Sequence, residues 1–226
     1  MAETNAALNA DVVAQARARY DDDRRRLLGV VGAPGVGKST FADMLAAELG
    51  RGAVVVPMDG FHLANAALQR LGRSDRKGAP DTLDGAGYLA LVRRLGESAP
   101  EETVYAPAFH RDIEEPIAGS IEIAPETRLV ILEGNYLLLR HWPWGAIPEA
   151  LDGTWYLDMD DGQRRERLIA RHRRFGMAEG AARDWAATVD EPNARLIASR
   201  RERATRVLPW CGGEDGQFVL TATGWQ

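Results

Sequence analysis

Short apolar runs closed by glycine, proline or acidic residues set the rhythm of the chain. They are Leu27–Val31, Ala53–Met58, Leu129–Leu132, Thr154–Leu157 and, more weakly, Phe218–Thr221. The first four are continuous instead of alternating, the pattern of strands covered on both faces of a parallel sheet. Phe218–Thr221 reads as a last edge strand. Between the runs, apolar residues recur at helical spacing over 7–26, 38–49, 62–71 and 84–95. Gly50 is placed to cap the second of these. Residues 103–123 mix short extended pieces with turns. From Asp161 to Leu208 the pattern is helical and arginine-rich, with breaks predicted at Phe175-Gly176 and Glu191-Pro192. Strands alternating with helices predict a doubly wound α/β fold whose ligands sit at the carboxyl ends of the strands. With no repeat, low-complexity segment or linker, residues 1–226 read as a single domain.

The first run leads directly into Gly32-Ala33-Pro34-Gly35-Val36-Gly37-Lys38-Ser39, which fits G-x-x-x-x-G-K-[ST]. A strand, a glycine-rich turn and a helix are the context that this phosphate-binding loop requires. Backbone N–H groups can crowd around phosphate oxygens there, and the helix opening at Gly37 adds its positive end. Lys38 is expected to reach the β- and γ-phosphates and the Ser39 hydroxyl to ligate Mg²⁺, with Thr40 completing the ATP-binding segment. The chain holds only two lysines, Lys38 and Lys77, so 26 of its 28 basic residues are arginine. Lysine has been kept where a compact ammonium suits a phosphate.

Composition narrows the classes further. A net charge of −5 offers no basic surface for nucleic acid or an anionic membrane. The first residues lack the charged and apolar regions of a signal peptide, and Leu129–Leu139 is too short and too polar to span a bilayer. The single cysteine, Cys211, fits a reducing compartment, so a cytoplasmic location is expected. Neither lysine stands in the Asn/Thr-Lys-x-Asp guanine reader of a GTPase. Asp161-Gly162-Gln163-Arg164-Arg165 looks superficially like a transporter-ATPase signature, but it follows Leu132-Glu133, where that signature should precede it.

The strand ends favour phosphoryl transfer to a small molecule. Asp59 closes the second run, where a carboxylate could take a proton from an attacking hydroxyl. Asp59-Gly60 also suits a tight turn, but a helical pattern follows instead of a strand. Glu133 ends a core strand, where burial is costly without a cation or a hydrogen-bonding partner. A magnesium site and a bond to a neighbouring helix are both open. His62, shortly after Asp59, either faces the acceptor or is inert. The polar string His110–Pro116 is a solvated turn or an acceptor-binding loop, with Arg111 and Asp112 as its candidates. Arg164, Arg165 and Arg167 are expected on a solvent face. The tryptophans, Trp142, Trp144 and Trp155 among them, are expected to be structural.

Taken in order, these segments resemble the P-loop small-molecule kinases of the uridine kinase, phosphoribulokinase and type I pantothenate kinase superfamily. The nearest branch is that of the bacterial nucleoside/nucleotide kinases and fructose-transport-associated kinases. The resemblance covers most of residues 27–208. Met58-Asp59-Gly60-Phe61-His62 is similar to the pantothenate kinase segment whose aspartate is the catalytic base. Lys77-Gly78-Ala79-Pro80-Asp81-Thr82-Leu83-Asp84 is similar to the Lys-Gly-x-Pro-x-[Ser/Thr]-x-Asp that follows it. Tyr105-Ala106-Pro107-Ala108-Phe109 resembles the segment approaching the acceptor, Ile131-Leu132-Glu133-Gly134 the family's Ile-Leu-Glu-Gly, and Arg201-Glu202-Arg203-Ala204 a C-terminal motif.

Arg171-His172-Arg173-Arg174-Phe175 resembles the lid, and Arg171 thereby stands for the arginine that steadies the transferring phosphoryl group. The resemblance implies a three-layer P-loop fold with a mainly parallel sheet and a helical lid over about 161–190 that carries Arg171, Arg173 and Arg174. It implies an ATP- and Mg²⁺-dependent kinase acting on a hydroxyl of a sugar-like or nucleoside-like metabolite. Dimers are common in such families, so a homodimer is one expectation. The chain also departs from the pattern. Asn193 approximates one of two acceptor-holding asparagines of the pantothenate branch, and Leu196 takes the other's place. His110 or Arg111 stands for that branch's histidine in a shifted register. Phe109 and His110 replace the Tyr-Asp of the uridine kinases. A pantothenate-type kinase and a non-catalytic ATP sensor of a transport system are the alternatives.

Overall fold

The computed structural model describes residues 8–20, 24–99, 101–212 and 218–220. After helix α1 (Ala10–Tyr20), strand β1 (Arg26–Val31) runs into the glycine-rich loop and helix α2 (Lys38–Leu49). β2 (Ala53–Pro57), α3 (Asn65–Arg70) and α4 (Gly85–Glu97) follow. Next come β3 (Val104–His110), β4 (Glu115–Ile123), β5 (Leu129–Gly134) and β6 (Gly153–Asp158). Helices α5 (Asp161–Arg174), α6 (Glu179–Trp185) and α7 (Glu191–Ala198) lead to β7 (Arg206–Gly212) and β8 (Phe218–Leu220).

The main sheet has the order β2-β5-β1-β6-β7-β8, parallel except for the last pair. Successive residues of a strand point to opposite faces, and β1 and β5 feed two separate cores accordingly. Leu28, Val30, Leu129 and Ile131 pack with Phe41 and Leu45 of α2 and Val12 and Ala16 of α1. Leu27, Val31, Val130 and Leu132 pack with Tyr88, Val92 and Leu95 of α4 and with Ile197 of α7. The result is the three-layer α/β arrangement expected from the continuous apolar strands.

Three parts of the chain differ from the expectation. Residues 103–123 form one antiparallel hairpin, β3–β4, whose register slips between Ala106 and Ala108. Pro107 lies at the slip, where its missing N–H removes a ladder bond. Arg206–Gly212 is a strand, although the arginine-rich stretch before it hid the change of period. Leu208 and Trp210 enter the α2-side core, and Thr154 and Thr205 exchange hydrogen bonds of 2.7–3.1 Å as β7 begins. The helix does not end at Glu191-Pro192: a π-turn over Ala186–Asp190 joins α6 to α7 just before Pro192, whose missing N–H leaves one ladder bond unmade.

The arginines that lead into β1 are tied into the fold. Arg25 donates to the carbonyls of Thr127 and Ala124 and to Ser98 Oγ, while Arg24 and Arg26 pair with Asp152. Asp21, Asp22 and Asp23 lie outside the described residues. Trp142 is 73% exposed, a correction to its expected structural role, whereas Trp144 and Trp155 are buried.

Candidate active site

β1, β2 and β5 end side by side, with Val30 and Pro57 both in register with Glu133. The chain therefore brings the glycine-rich loop, the turn Met58–Phe61 and Glu133 to one edge of the sheet. Glu133 shares the α2-facing side of β5 with Leu129 and Ile131, and Ser39 Oγ donates to its Oε1 at 2.9 Å. Gly35 and Gly37 take φ of +85° and +93°, a region other residues adopt only with strain. A Cβ on Gly35 would also lie 2.7 Å from the Arg164 carbonyl, so the loop is moulded against α5.

That contact corrects the reading of Arg164. Far from lying on a solvent face, its side chain is 2% exposed. It pairs with Asp161 at 3.0 Å and with Glu191, and donates to the Pro34 carbonyl at 3.1 Å. Burial would depress the guanidinium, but its carboxylate partners outweigh that and raise it. The first turn of α5 is thus fastened to the phosphate loop and to α7 together.

A cleft of about 450 Å³ opens beside the loop. Lys38, Ser39, Asp59 and Glu133 line it, as do His62, Lys77, Phe109, Arg111 and Arg171. Within it neighbouring charges act on Lys38, Glu133 and Arg171. Enclosure by protein lowers the Lys38 ammonium to about 8, against the pull of Glu133 and Asp59. Burial and the Asp59 charge raise Glu133, while Lys38 and the Ser39 hydroxyl oppose the rise. Loss of hydration and the neighbouring Arg111 lower the Arg171 guanidinium.

Arg111 stands at the tip of the β3–β4 hairpin and meets Asp59 Oδ2 at 3.3 Å. Its guanidinium carbon lies 5.8 Å from the Phe109 ring centre and 5.7 Å from that of Phe175. Lys77 lies 5.0 Å from the Phe109 centre and donates to the Glu114 carbonyl at 2.7 Å, which helps hold Glu114 at φ 53°. His62, outside any helix, bonds the Asp59 carbonyl through Nδ1 at 2.8 Å and packs on Phe109.

Several expected residues lie elsewhere. Asp112 is exposed on the hairpin turn and does not line the cleft; neither do Arg173 and Arg174, which point off the exposed end of α5. Arg173 meets Glu179 at 3.7 Å. Of the expected lid arginines, Arg171 alone reaches the cleft. Thr40 is exposed on α2, outside this cleft. Sequence reasoning missed Asn135, His172, Trp185 and Asp190, all of which line it. Asn135 follows Glu133 by two residues, a spacing that could have flagged it.

No family model matches the chain. It is 35% identical over 160 residues to an ATP-dependent kinase-like protein of Aspergillus versicolor, covering 67% of the chain and 93% of that protein. It is also 35% identical over 158 residues to a candidate uridine kinase of Schizosaccharomyces pombe, covering 66% and 67% of the two. The chain belongs to the P-loop kinases of the uridine kinase, phosphoribulokinase and pantothenate kinase group. Among solved P-loop kinases, a candidate fructose transport system kinase from Silicibacter sp. TM1040 superposes with a TM-score of 0.81. It shares 38% identity over 88% of this chain and 98% of its own. The ATP-dependent small-molecule kinase family is therefore established on sequence, and the three-layer fold on structure. Among the described residues, no helix of this P-loop kinase is long and apolar enough to cross a membrane.

Proposed function

We propose that the protein transfers the γ-phosphate of ATP to a hydroxyl of a small polyhydroxylated metabolite. One observation carries this reading: the Asp59 carboxylate shares a cleft with the Lys38 ammonium at the head of the phosphate loop, close enough to pull on its charge. An ATP sensor would need the loop but no carboxylate beside it. One relative is named for a nucleoside kinase and one solved structure for a kinase of a fructose transport system, and a hydroxyl acceptor is compatible with both names.

The roles follow from position. The loop amides and Lys38 hold the phosphates, and the phosphate charge favours the protonated ammonium that burial disfavours. The Ser39 hydroxyl and Glu133 carboxylate form a hard oxygen pair, the donor set of a magnesium ion that otherwise keeps waters and phosphate oxygens. Bound there, Mg²⁺ would neutralise charge on the transferring group. Arg111 engages Oδ2 of Asp59, which leaves Oδ1 to take the acceptor proton as the hydroxyl oxygen bonds to the γ-phosphorus. The β–γ bridging oxygen then departs with ADP. Arg171, on a helix that closes as a lid, balances charge on the phosphoryl group, and closure excludes water as a competing acceptor.

The test is ADP release from ATP and Mg²⁺ with pooled sugars, polyols, nucleosides and pantothenate. Acceptor-dependent turnover is expected, and Asp59→Asn should lower its kcat by roughly 10²–10⁴ while ATP affinity stays unchanged. Wild-type turnover in Asp59→Asn would remove this carboxylate from the chemistry.

A further inference from the structure

The wall that α5 and the π-turn give to the cleft carries groups for which phosphate transfer has no use. His172 Nε2 lies 2.8 Å from Asp190 Oδ2, and both side chains are largely buried while lining the cleft. Trp185 and Asn193 line it with them. In a regular α-helix, residues five apart diverge by about 140° around the axis. The π-turn, with its i→i+5 bond from the Glu191 N–H to the Ala186 carbonyl, brings Trp185 and Asp190 to one side. An interruption of this kind serves no purpose in the core, since only Ala186 of its five residues is buried.

We propose that this wall is a subsite for adjacent hydroxyls of the acceptor, so that the acceptor is a sugar or polyol bearing a vicinal diol besides the hydroxyl that is phosphorylated. The inference rests on the kinase reading above. The carboxylate of Asp190 accepts hydrogen bonds and repels an anionic group. With Nε2–H donated to Asp190, the His172 ring is held in the tautomer whose Nδ1 is an acceptor. Nδ1 has no hydrogen-bond partner among the described residues. Asp190 Oδ1 and His172 Nδ1 together suit two neighbouring O–H donors. Trp185 supplies an apolar surface for the C–H side of a sugar, and Asn193 can donate or accept beside it. Occupancy of this wall also ties the acceptor to α5, the helix that carries Arg171. Correct acceptors thereby favour the closed arrangement that water cannot induce.

The experiment measures ADP release by wild type, Asp190→Asn and His172→Phe. The panel comprises D-fructose, D-ribose, 2-deoxy-D-ribose, ribitol, glycerol and uridine, with pantothenate and 4-hydroxybutyrate as acceptors that lack adjacent hydroxyls. The best wild-type acceptor should carry a vicinal diol. Its KM should rise about 10- to 100-fold in each variant, the usual effect of losing a hydrogen bond to a charged or fixed partner. The KM for ATP and the thermal shift on adding ATP should match wild type, which also shows that the variants fold. A preferred acceptor without adjacent hydroxyls, or wild-type acceptor KM in both variants, overturns the subsite and leaves the kinase reading standing. Wild-type ADP release no faster with any panel compound than with water sinks the kinase reading, and the subsite with it.

Discussion

Replacing Arg164 by methionine tests whether α5 is fastened to the phosphate loop by charge or merely by packing. Methionine keeps most of the volume, so the cavity left behind is small. Three interactions are lost: the Asp161 pair, the Glu191 pair and the bond to the Pro34 carbonyl. Asp161 is 73% exposed, so its pair contributes within about 1 kcal/mol. Glu191 is only 15% exposed, and Pro34 is buried, so water reaches neither acceptor freely. An unsatisfied buried acceptor costs about 1–3 kcal/mol and an orphaned buried charge rather more. The sum falls near the 3–5 kcal/mol typical of breaking a buried ion pair. For a chain of this length that is a fall in Tm of about 6–20 °C.

Urea denaturation of wild type, Arg164→Met, Glu191→Gln and the double variant closes a thermodynamic cycle. Removing the charge of Glu191 as well should recover about 1–3 kcal/mol of the single-variant loss, because the orphaned carboxylate is gone. ATP affinity should fall in Arg164→Met, since the Pro34 carbonyl is no longer held. A loss below about 1 kcal/mol in Arg164→Met, or strict additivity in the double variant, would refute the claim that this guanidinium clamps loop and helix.

Glu133 makes the stability of the ligand-free protein depend on pH. Its carboxyl is raised from 4.5 to about 6, so the folded state binds the extra proton, and its stabilising contribution is present below 4.5 and lost as pH rises through 6. Relative to Glu133→Gln, wild type should lose up to about 2 kcal/mol across that window in urea melts, and a difference that is flat or runs the other way contradicts the burial of the charge. Gly60 marks where the turn Met58–Phe61 meets the hairpin: a Cβ there would sit 2.2 Å from the Pro107 carbonyl oxygen, a backbone atom that cannot swing aside. Gly60→Ala should therefore destabilise by roughly 1–3 kcal/mol and lower kcat by displacing Asp59, and wild-type values for both would show that the two segments part easily.

How much of this was legible depended on whether the signal was local. The phosphate loop, β1, β2, β5 and β6 each announce themselves within a few residues, and the end of a parallel strand is where ligands bind. Asp59, Lys38, Ser39 and Glu133 were therefore within reach of reading alone. The hairpin was not, because its slipped register depends on pairing Ala108 with Ile117, a choice made across the turn. Nor was Arg164. Its spacing to Asp161 is that of any exposed i,i+3 pair, and only the docking of α5 on Gly35 buries it.

The residues that escaped share a cause with consequences for function. His172, Trp185 and Asp190 belong to a segment whose pattern reads simply as polar helix, and a π-turn shifts its faces by an amount that 3.6-residue periodicity cannot reveal. The phosphate-loop side of the cleft is defined by backbone geometry and a few residue types within one short segment, and these leave a sequence signature. The wall proposed for the acceptor draws on side chains that the rotation of α5 and the π-turn bring together. Were that turn regularised by deleting one residue between Trp185 and Asp190, Asp190 would swing by about 100° while the phosphate loop stayed as it is. Glu191, next in sequence, would turn with it and leave Arg164, so the deletion should also cost the stability assigned to that pair, while the contact at Gly35 and the bond to the Pro34 carbonyl keep α5 against the loop.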